Sequence, residues 1–89
     1  MTTVIHIKDR SSYDVYIGRP SKWGNPFIIG MDGDRAEVIK KYRNWIKNRK
    51  ELLDSLSELK DKRLCCFCKP LACHGDVLVE LINERLYGN

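Results

Sequence analysis

The sequence lacks long apolar runs, repeats and low-complexity segments. No stretch approaches the ~20 apolar residues that cross a bilayer, and the N-terminus has no basic region followed by an apolar core. We therefore expect a soluble, cytoplasmic protein. Cysteines are also missing outside the short segment from Cys65 to Cys73, which holds all four. Cysteines this close together cannot link distant parts of a chain, so reduced thiols are expected instead of a secreted disulfide framework.

The composition is that of a small globular domain with a basic surface. A chain of 89 residues allows one domain, residues 1–89, with a small core. A dimer interface, a metal or a ligand would add noticeably to the stability of such a core, and we expect a homo-oligomer. The net charge of +4 favours anionic partners such as nucleic acid, nucleotides or phosphorylated metabolites. An ordinary solvated basic surface would give the same charge.

Alternation of β-branched residues predicts strands near the N-terminus. Residues 3–8 (TVIHIK) alternate in this way, and residues 13–17 (YDVYI) alternate again after a polar turn. The two segments are expected to pair as a hairpin. Residues 18–27 (GRPSKWGNPF) predict a loop, because their glycines and prolines interrupt regular structure. Residues 27–29 predict a further short strand.

Helical spacing dominates the rest of the chain. Residues 34–49 predict a helix with one apolar face, in which Asp34 is the N-cap and Glu37 completes a capping box. Residues 51–60 predict a shorter helix. Residues 62–68 are apolar on both sides, which is typical of a buried strand, and residues 74–87 predict a last helix. This order predicts a small α/β domain: a sheet of three or four strands packed with about three helices, in a two-layer or a Rossmann-like three-layer arrangement.

The junction between the last strand and the last helix is the strongest candidate for a binding site. In open α/β sheets, ligands bind at the carboxyl ends of the strands, and unpaired N–H groups at a helix start attract anions. Gly75 has no side chain to block an oxyanion there. We expect the amides of Gly75 and Asp76 to receive a phosphate or a carboxylate. Alternatively, Asp76 would stabilise the helix start without any ligand.

The cysteines and the histidine at this junction have three interpretations. Cys66, Cys68, Cys73 and His74 are a sufficient tetrahedral set for zinc, although alternate residues of a strand lie about 6.5 Å apart and the Cys-x-Cys spacing argues against this site. Cys73 could instead be an acidified nucleophile with His74 as its base, but adjacent side chains usually point apart. In the third interpretation the cysteines are structural, which we favour for Cys65.

The loop before the first helix carries complementary groups. Arg19 could clamp a phosphate, Trp23 could stack on a base and Asn25 could bind a polar edge, with Ser21 between them. The alternative is that Trp23 and Phe27 cover the small core while Arg19 is solvated.

Two motifs stand out in the chain. Residues 17–27 read IGRPSKWGNPF and residues 66–78 read CFCKPLACHGDVL. Together they resemble a domain family of unknown function that is found in bacteria and especially in their phages. The Cys-His helix start is also similar to that of a second uncharacterised α/β family with a Cys-His-Arg motif. The resemblance implies a pocket at the strand end and an accessory role: nucleotide metabolism, modification of host nucleic acid, or capture of a nucleotide signal used in host defence.

The predicted function is binding of a phosphorylated, nucleotide-type small molecule between the loop at residues 19–27 and the start of the last helix. The predicted ligand-binding residues are Arg19, Ser21, Trp23, Asn25, Cys68, Cys73, His74, Gly75 and Asp76. Cys73 and His74 are also the candidates for catalysis, and turnover and sequestration both stay open. The alternative prediction is a zinc-stabilised module that binds nucleic acid and holds the metal with Cys66, Cys68, Cys73 and His74.

Overall fold

The centre of the fold is a sheet of three parallel strands. The computed structural model describes residues 2–6, 14–66 and 72–87. Strands β1 (Thr3–His6) and β2 (Val15–Tyr16) both pair in parallel with β3 (Arg63–Cys66), in the order β1-β3-β2. The predicted hairpin of the first two strands is therefore wrong. The reason is that β3 is apolar on both faces and takes the central position between them.

The first helix begins where the sequence predicted. Helix α1 (Arg35–Lys47) is capped by Asp34, whose carboxylate accepts the Glu37 N–H at 2.8 Å, while the Glu37 carboxylate accepts the Asp34 N–H at 3.0 Å. This reciprocal pair confirms the predicted capping box. The short strand predicted at residues 27–29 is wrong. These residues enter a turn in which the Asp32 carboxylate accepts the Ile28 N–H and the Ile28 carbonyl accepts the Asp32 N–H, both at 2.8 Å.

The later helices follow the predicted order with two changes. Helix α2 (Lys50–Asp54) has Ser55 as its C-cap. A 3₁₀ turn at Leu56–Leu59 replaces the second half of the predicted helix. The Ser55 hydroxyl donates to the carbonyl of Glu51 at 2.9 Å, a local bond that competes with regular helix formation. Helix α3 (His74–Ile82) continues into a π-helical turn at Asn83–Tyr87. No helix in the described ranges is long and apolar enough to cross a membrane.

One hydrophobic cluster joins the helices to one face of the sheet. Leu64 and Cys66 contribute the β3 side of this cluster, and Val4 and Val15, which are the partners of Leu64 on the two edge strands, pack against it. The helical side contains residues of α1, α2, the 3₁₀ turn and α3, namely Tyr42, Ile46, Leu52, Leu56, Leu59, Val77, Leu78, Leu81 and Ile82. The described helices thus cover the same face of the sheet, which makes the fold a two-layer α/β arrangement.

A candidate binding site at the carboxyl edge of the sheet

A cavity of about 420 Å³ lies at the edge of the sheet where β2 and β3 end and where α1 and α3 begin. Its volume falls in the range of about 300–1,000 Å³ that is typical of small-molecule pockets. The lining comes from Tyr16 at the end of β2, Cys66 at the end of β3, the loop that precedes α1, and the first residues of both helices. The cavity therefore occupies the position at which parallel sheets bind ligands.

Two arginines line this cavity. Arg19 is an exposed residue of the loop after β2, and its carbonyl accepts a hydrogen bond from the Tyr16 hydroxyl at 2.9 Å. Arg35 is the first residue of α1, and its Nη1 donates to the Ala72 carbonyl at 3.0 Å, just before α3. Arg35 was not among the residues predicted from the sequence. It could have been predicted because α1, like α3, begins at the carboxyl edge of a parallel sheet.

The cavity also has an apolar wall. It is formed by residues of the loop before α1 and of the first turns of α1, namely Phe27, Ile28, Ile29, Val38 and Ile39. Ile28 and Ile29 are 39% and 49% exposed, so they lie at the rim of the cavity. Phe27 is half-buried, and Lys41 Nζ lies 6.0 Å from its ring centroid. Among the aromatic residues of the loop, Phe27 is thus the one with a ring at the cavity.

The other predicted residues of this loop have structural positions. Trp23 is 2% exposed and belongs to the core, and its carbonyl accepts the Tyr42 hydroxyl at 2.7 Å. Its ring therefore offers no face to a ligand, and the core interpretation of Trp23 is the correct one. Asn25 lines the cavity, but its side chain donates to the Val38 carbonyl at 3.2 Å and accepts the Phe27 N–H at 2.9 Å. Those two bonds fix the loop against α1.

Ser21 lies in the same loop without lining the cavity. Its hydroxyl oxygen is buried and has no hydrogen-bond partner in the part of the chain that the structure describes, while its backbone N–H donates to the Gly18 carbonyl at 2.9 Å. A buried hydroxyl without a partner costs stability. The predicted contact between Ser21 and a ligand stays a prediction.

The start of α3 satisfies its own backbone groups. Cys73 is the N-cap, and its Sγ accepts the Gly75 N–H at 3.3 Å. The Asp76 carboxylate accepts the Cys73 N–H at 3.1 Å, and the Asp76 N–H donates to the Cys73 carbonyl at 3.0 Å. The helix-stabilising interpretation of Asp76 is therefore correct. A phosphate would have to displace these bonds in order to reach the Gly75 and Asp76 amides.

Gly75 is required for packing. A Cβ at this position would lie 2.9 Å from Ile17 Cδ1 and 3.0 Å from Val4 Cγ1. Both distances are too short for ordinary carbon contacts. The missing side chain lets the start of α3 approach the sheet, instead of leaving room for an oxyanion, and Gly75 is buried outside the described lining of the cavity. The predicted role of Gly75 in admitting an anion stays a prediction.

His74 forms part of the cavity floor in a fixed orientation. The residue is 7% exposed, and its Nε2 lies 2.7 Å from the Ile17 carbonyl oxygen. Because a carbonyl only accepts, Nε2 carries a hydrogen and the lone pair of the neutral ring is on Nδ1. Burial lowers the pKa of His74 from its ordinary 6.5, and the bond to Ile17 acts in the opposite direction. His74 is therefore uncharged at neutral pH.

Cys66 and Cys73 form a close pair in the floor beside His74. Their sulfur atoms lie 3.3 Å apart, and both residues are buried and unbridged. The hydrogen bond to Cys66 and burial raise the pKa of Cys73, and they outweigh the Gly75 N–H, which acts in the opposite direction. The prediction that Cys73 is acidified is therefore wrong. Either sulfur can donate in this pair.

The predicted zinc site consists of Cys66, Cys68, Cys73 and His74. Cys68 lies outside the described residues. Among the residues that are described, no three His, Cys, Asp or Glu side chains form a group that could hold a metal ion, and His74 Nε2 is already bonded to Ile17. Zinc stays a prediction, which metal analysis of the purified protein would test. Cys65 is buried as expected, and its position between Leu64 and Cys66 puts its side chain on the other face of β3.

Comparison with known proteins identifies the family. Residues 5–84 match the model of the domain of unknown function DUF4326. The chain belongs to this family. A protein of Enterobacteria phage T4, described as an uncharacterized 12.4 kDa protein in the nrdA-td intergenic region, is 36% identical over 82 residues, which cover 86% of this chain and 74% of the phage protein. No solved structure matches the chain. The predicted membership of an unassigned family with a phage relative is thus confirmed.

Proposed function

We propose that this DUF4326 domain binds a phosphorylated small molecule of the nucleotide type in the cavity at the carboxyl edge of its sheet. The observation that carries the proposal is the composition of the lining. Among the described lining residues, the charged ones are two arginines, no carboxylate is present, and five residues form the apolar wall. A ligand that fits this lining is anionic at one end and apolar or planar at the other.

The phosphate is assigned to Arg19 and Arg35. A guanidinium presents N–H donors in a planar fork that matches phosphate oxygens. The bond from Arg35 Nη1 to the Ala72 carbonyl uses only part of that fork, so the remaining donors are available to a ligand. Arg19 belongs to an exposed loop whose backbone is fixed by the Tyr16 hydroxyl. This assignment replaces the helix amides at Gly75 and Asp76 as the main anion contacts.

The base is assigned to the apolar wall. Phe27 offers an aromatic ring, and Val38 and Ile39 offer aliphatic surface on the first turns of α1. A planar base packed there would cover part of the rim formed by Ile28 and Ile29. Burial of apolar surface contributes about 25 cal/mol per Å², so covering this rim would add to the affinity.

Binding without turnover is the simpler form of the proposal. Nucleophilic catalysis needs an activated nucleophile beside an oriented base. In the cavity floor, Cys73 holds its proton, and the Nε2 of His74 is engaged by the Ile17 carbonyl. We therefore propose that the domain holds or sequesters its ligand.

Calorimetry with the purified protein tests the proposal. The panel contains nucleoside mono-, di- and triphosphates, the corresponding nucleosides, and inorganic phosphate. Binding should require both the phosphate and the base. Arg19→Ala and Arg35→Ala should each weaken it roughly 10- to 100-fold, because a hydrogen bond to a charged group contributes about 1.5–3 kcal/mol.

Lys47→Ala is the matched control for charge. Lys47 is exposed at the last turn of α1, roughly 18 Å along the helix from Arg35, and its substitution removes the same single charge. Binding by the Lys47→Ala variant should be unchanged. The proposal is refuted if no nucleotide in the panel binds, or if Lys47→Ala weakens binding as much as Arg19→Ala. Preferential binding of DNA, with a steep loss in salt, would favour the nucleic-acid alternative.

A further inference from the structure

We propose that Cys66 and Cys73 form a redox-active dithiol that a small hydroperoxide converts into an intramolecular disulfide. The two sulfur atoms lie 3.3 Å apart. A disulfide requires about 2.0 Å between them, so a small side-chain adjustment would bring them to bonding distance. The proposal does not depend on the nature of the ligand.

The cavity gives a small oxidant access to these thiols. Cys66 and Cys73 are 1% and 2% exposed, which excludes direct attack by another protein. Both nevertheless line the cavity, which opens to solvent at the rim formed by Ile28 and Ile29. The cavity therefore gives a molecule the size of hydrogen peroxide a route towards these residues that another protein lacks.

The oxidation takes two steps. They are given with Cys66 reacting first, and the opposite order gives the same disulfide. Cys66 attacks a peroxide oxygen: an S–O bond forms, the O–O bond breaks, and the thiol proton goes to the leaving hydroxide to give water. Cys73 then attacks the sulfenic sulfur of Cys66: the S–S bond forms, the S–O bond breaks, and a second water leaves with the Cys73 proton. Two thiols are oxidised and one peroxide is reduced.

The other cysteines provide matched controls. Cys65 is adjacent in sequence and equally buried, but it lies outside the described lining of the cavity. Cys68 lies outside the described residues and is tested by substitution. Cys73→Ser should fold, because serine is a preferred N-cap and its hydroxyl can accept the Gly75 N–H.

The experiment counts free thiols by alkylation and mass spectrometry after treatment of the folded protein with hydrogen peroxide. The wild-type chain has four cysteines. It should lose two thiols, remain a single chain on a non-reducing gel and regain both thiols with dithiothreitol. Cys65→Ala and Cys68→Ser should behave in the same way. Cys66→Ser and Cys73→Ser should lose this reaction.

Three results would overturn the proposal. The wild type could keep all four thiols, or it could gain oxygen without forming a disulfide. Alternatively, Cys73→Ser could still lose two thiols while Cys68→Ser does not, which would assign the disulfide to Cys66 and Cys68. Circular dichroism of each variant before oxidation shows whether the variant is folded, so that an unfolded variant is not mistaken for one that has lost the reaction.

Discussion

Replacing Gly75 with alanine tests whether a glycine is needed at this position for packing or for anion binding. The new Cβ would meet Ile17 Cδ1 at 2.9 Å and the two Cγ atoms of Val4 at 3.0 and 3.1 Å. The Ile17 methyl is the end of a flexible side chain and can move. Val4 is β-branched and belongs to β1, so its methyl groups are stiff. Most of the strain should therefore come from Val4.

The expected cost follows from two opposing effects. Overpacking of this kind costs about 1–3 kcal/mol, whereas alanine in place of glycine stabilises a helix by roughly 0.5–1 kcal/mol. Gly75→Ala should therefore lower the free energy of unfolding by about 0.5–2 kcal/mol. For a domain of this size, that corresponds to roughly 5 °C in Tm per kcal/mol. If Gly75 served only to admit an anion, the substitution would raise the stability.

Urea denaturation, followed by the fluorescence of Trp23 and Trp45, measures the change. Val4→Ala removes two of the three atoms that the new Cβ would meet, so the double variant Val4→Ala/Gly75→Ala should lose less stability than the two single variants together. The expected coupling is about 1 kcal/mol. The packing explanation is refuted if Gly75→Ala is as stable as the wild type, or if the two costs simply add.

Three further substitutions test the surroundings of the cavity. Tyr42→Phe leaves the Trp23 carbonyl without its donor and should cost about 1–3 kcal/mol in urea unfolding; a cost near zero would mean that water replaces the hydroxyl. Burial holds the pKa of His74 below 6.5, so the unfolded chain binds a proton first as the pH falls. The contribution of His74 to the free energy of unfolding should be complete above pH 6.5. It should decrease as the pH falls from 6.5 through the lowered pKa of the folded protein. His74→Gln keeps an N–H for the Ile17 carbonyl and should remove this part of the pH dependence; an unchanged pH profile would contradict the assignment. Ser21→Ala removes an unpartnered buried hydroxyl and should leave stability unchanged or raise it by about 1 kcal/mol, whereas a clear loss in thermal unfolding would reveal a partner for the hydroxyl.

Features that depend on neighbouring residues were predictable from the sequence. The capping box at Asp34 and Glu37 forms as predicted, because both hydrogen bonds span three residues. The buried central strand was also predictable, because a short run that is apolar on both sides is typical of a strand inside a sheet. The order of strands and helices along the chain also predicts that the cavity lies at the carboxyl edge of the sheet.

Features that depend on distant partners were not predictable. Alternation marks β1 and β2 as strands but does not encode their direction, and the hairpin prediction failed for that reason. Trp23 and Phe27 are both aromatic residues of one loop. Only the folded structure, in which Trp23 is 2% exposed, shows which of them is held in the core. Arg35 had no motif of its own, and its role depends on a contact with Ala72 across the fold.

The start of α3 shows why one sequence pattern supports two opposite predictions. A helix N-terminus attracts anions because its first N–H groups lack partners. In this chain the spacing of Cys73 and Asp76 lets the carboxylate accept the Cys73 N–H, while Cys73 accepts the Gly75 and Asp76 N–H groups. The Gly75 and Asp76 N–H groups are thus already bonded to Cys73. We therefore expect the arginine side chains to hold most of any phosphate that binds in the cavity. Because Arg19 is exposed, the affinity should fall with rising salt more steeply than it would at a buried backbone site.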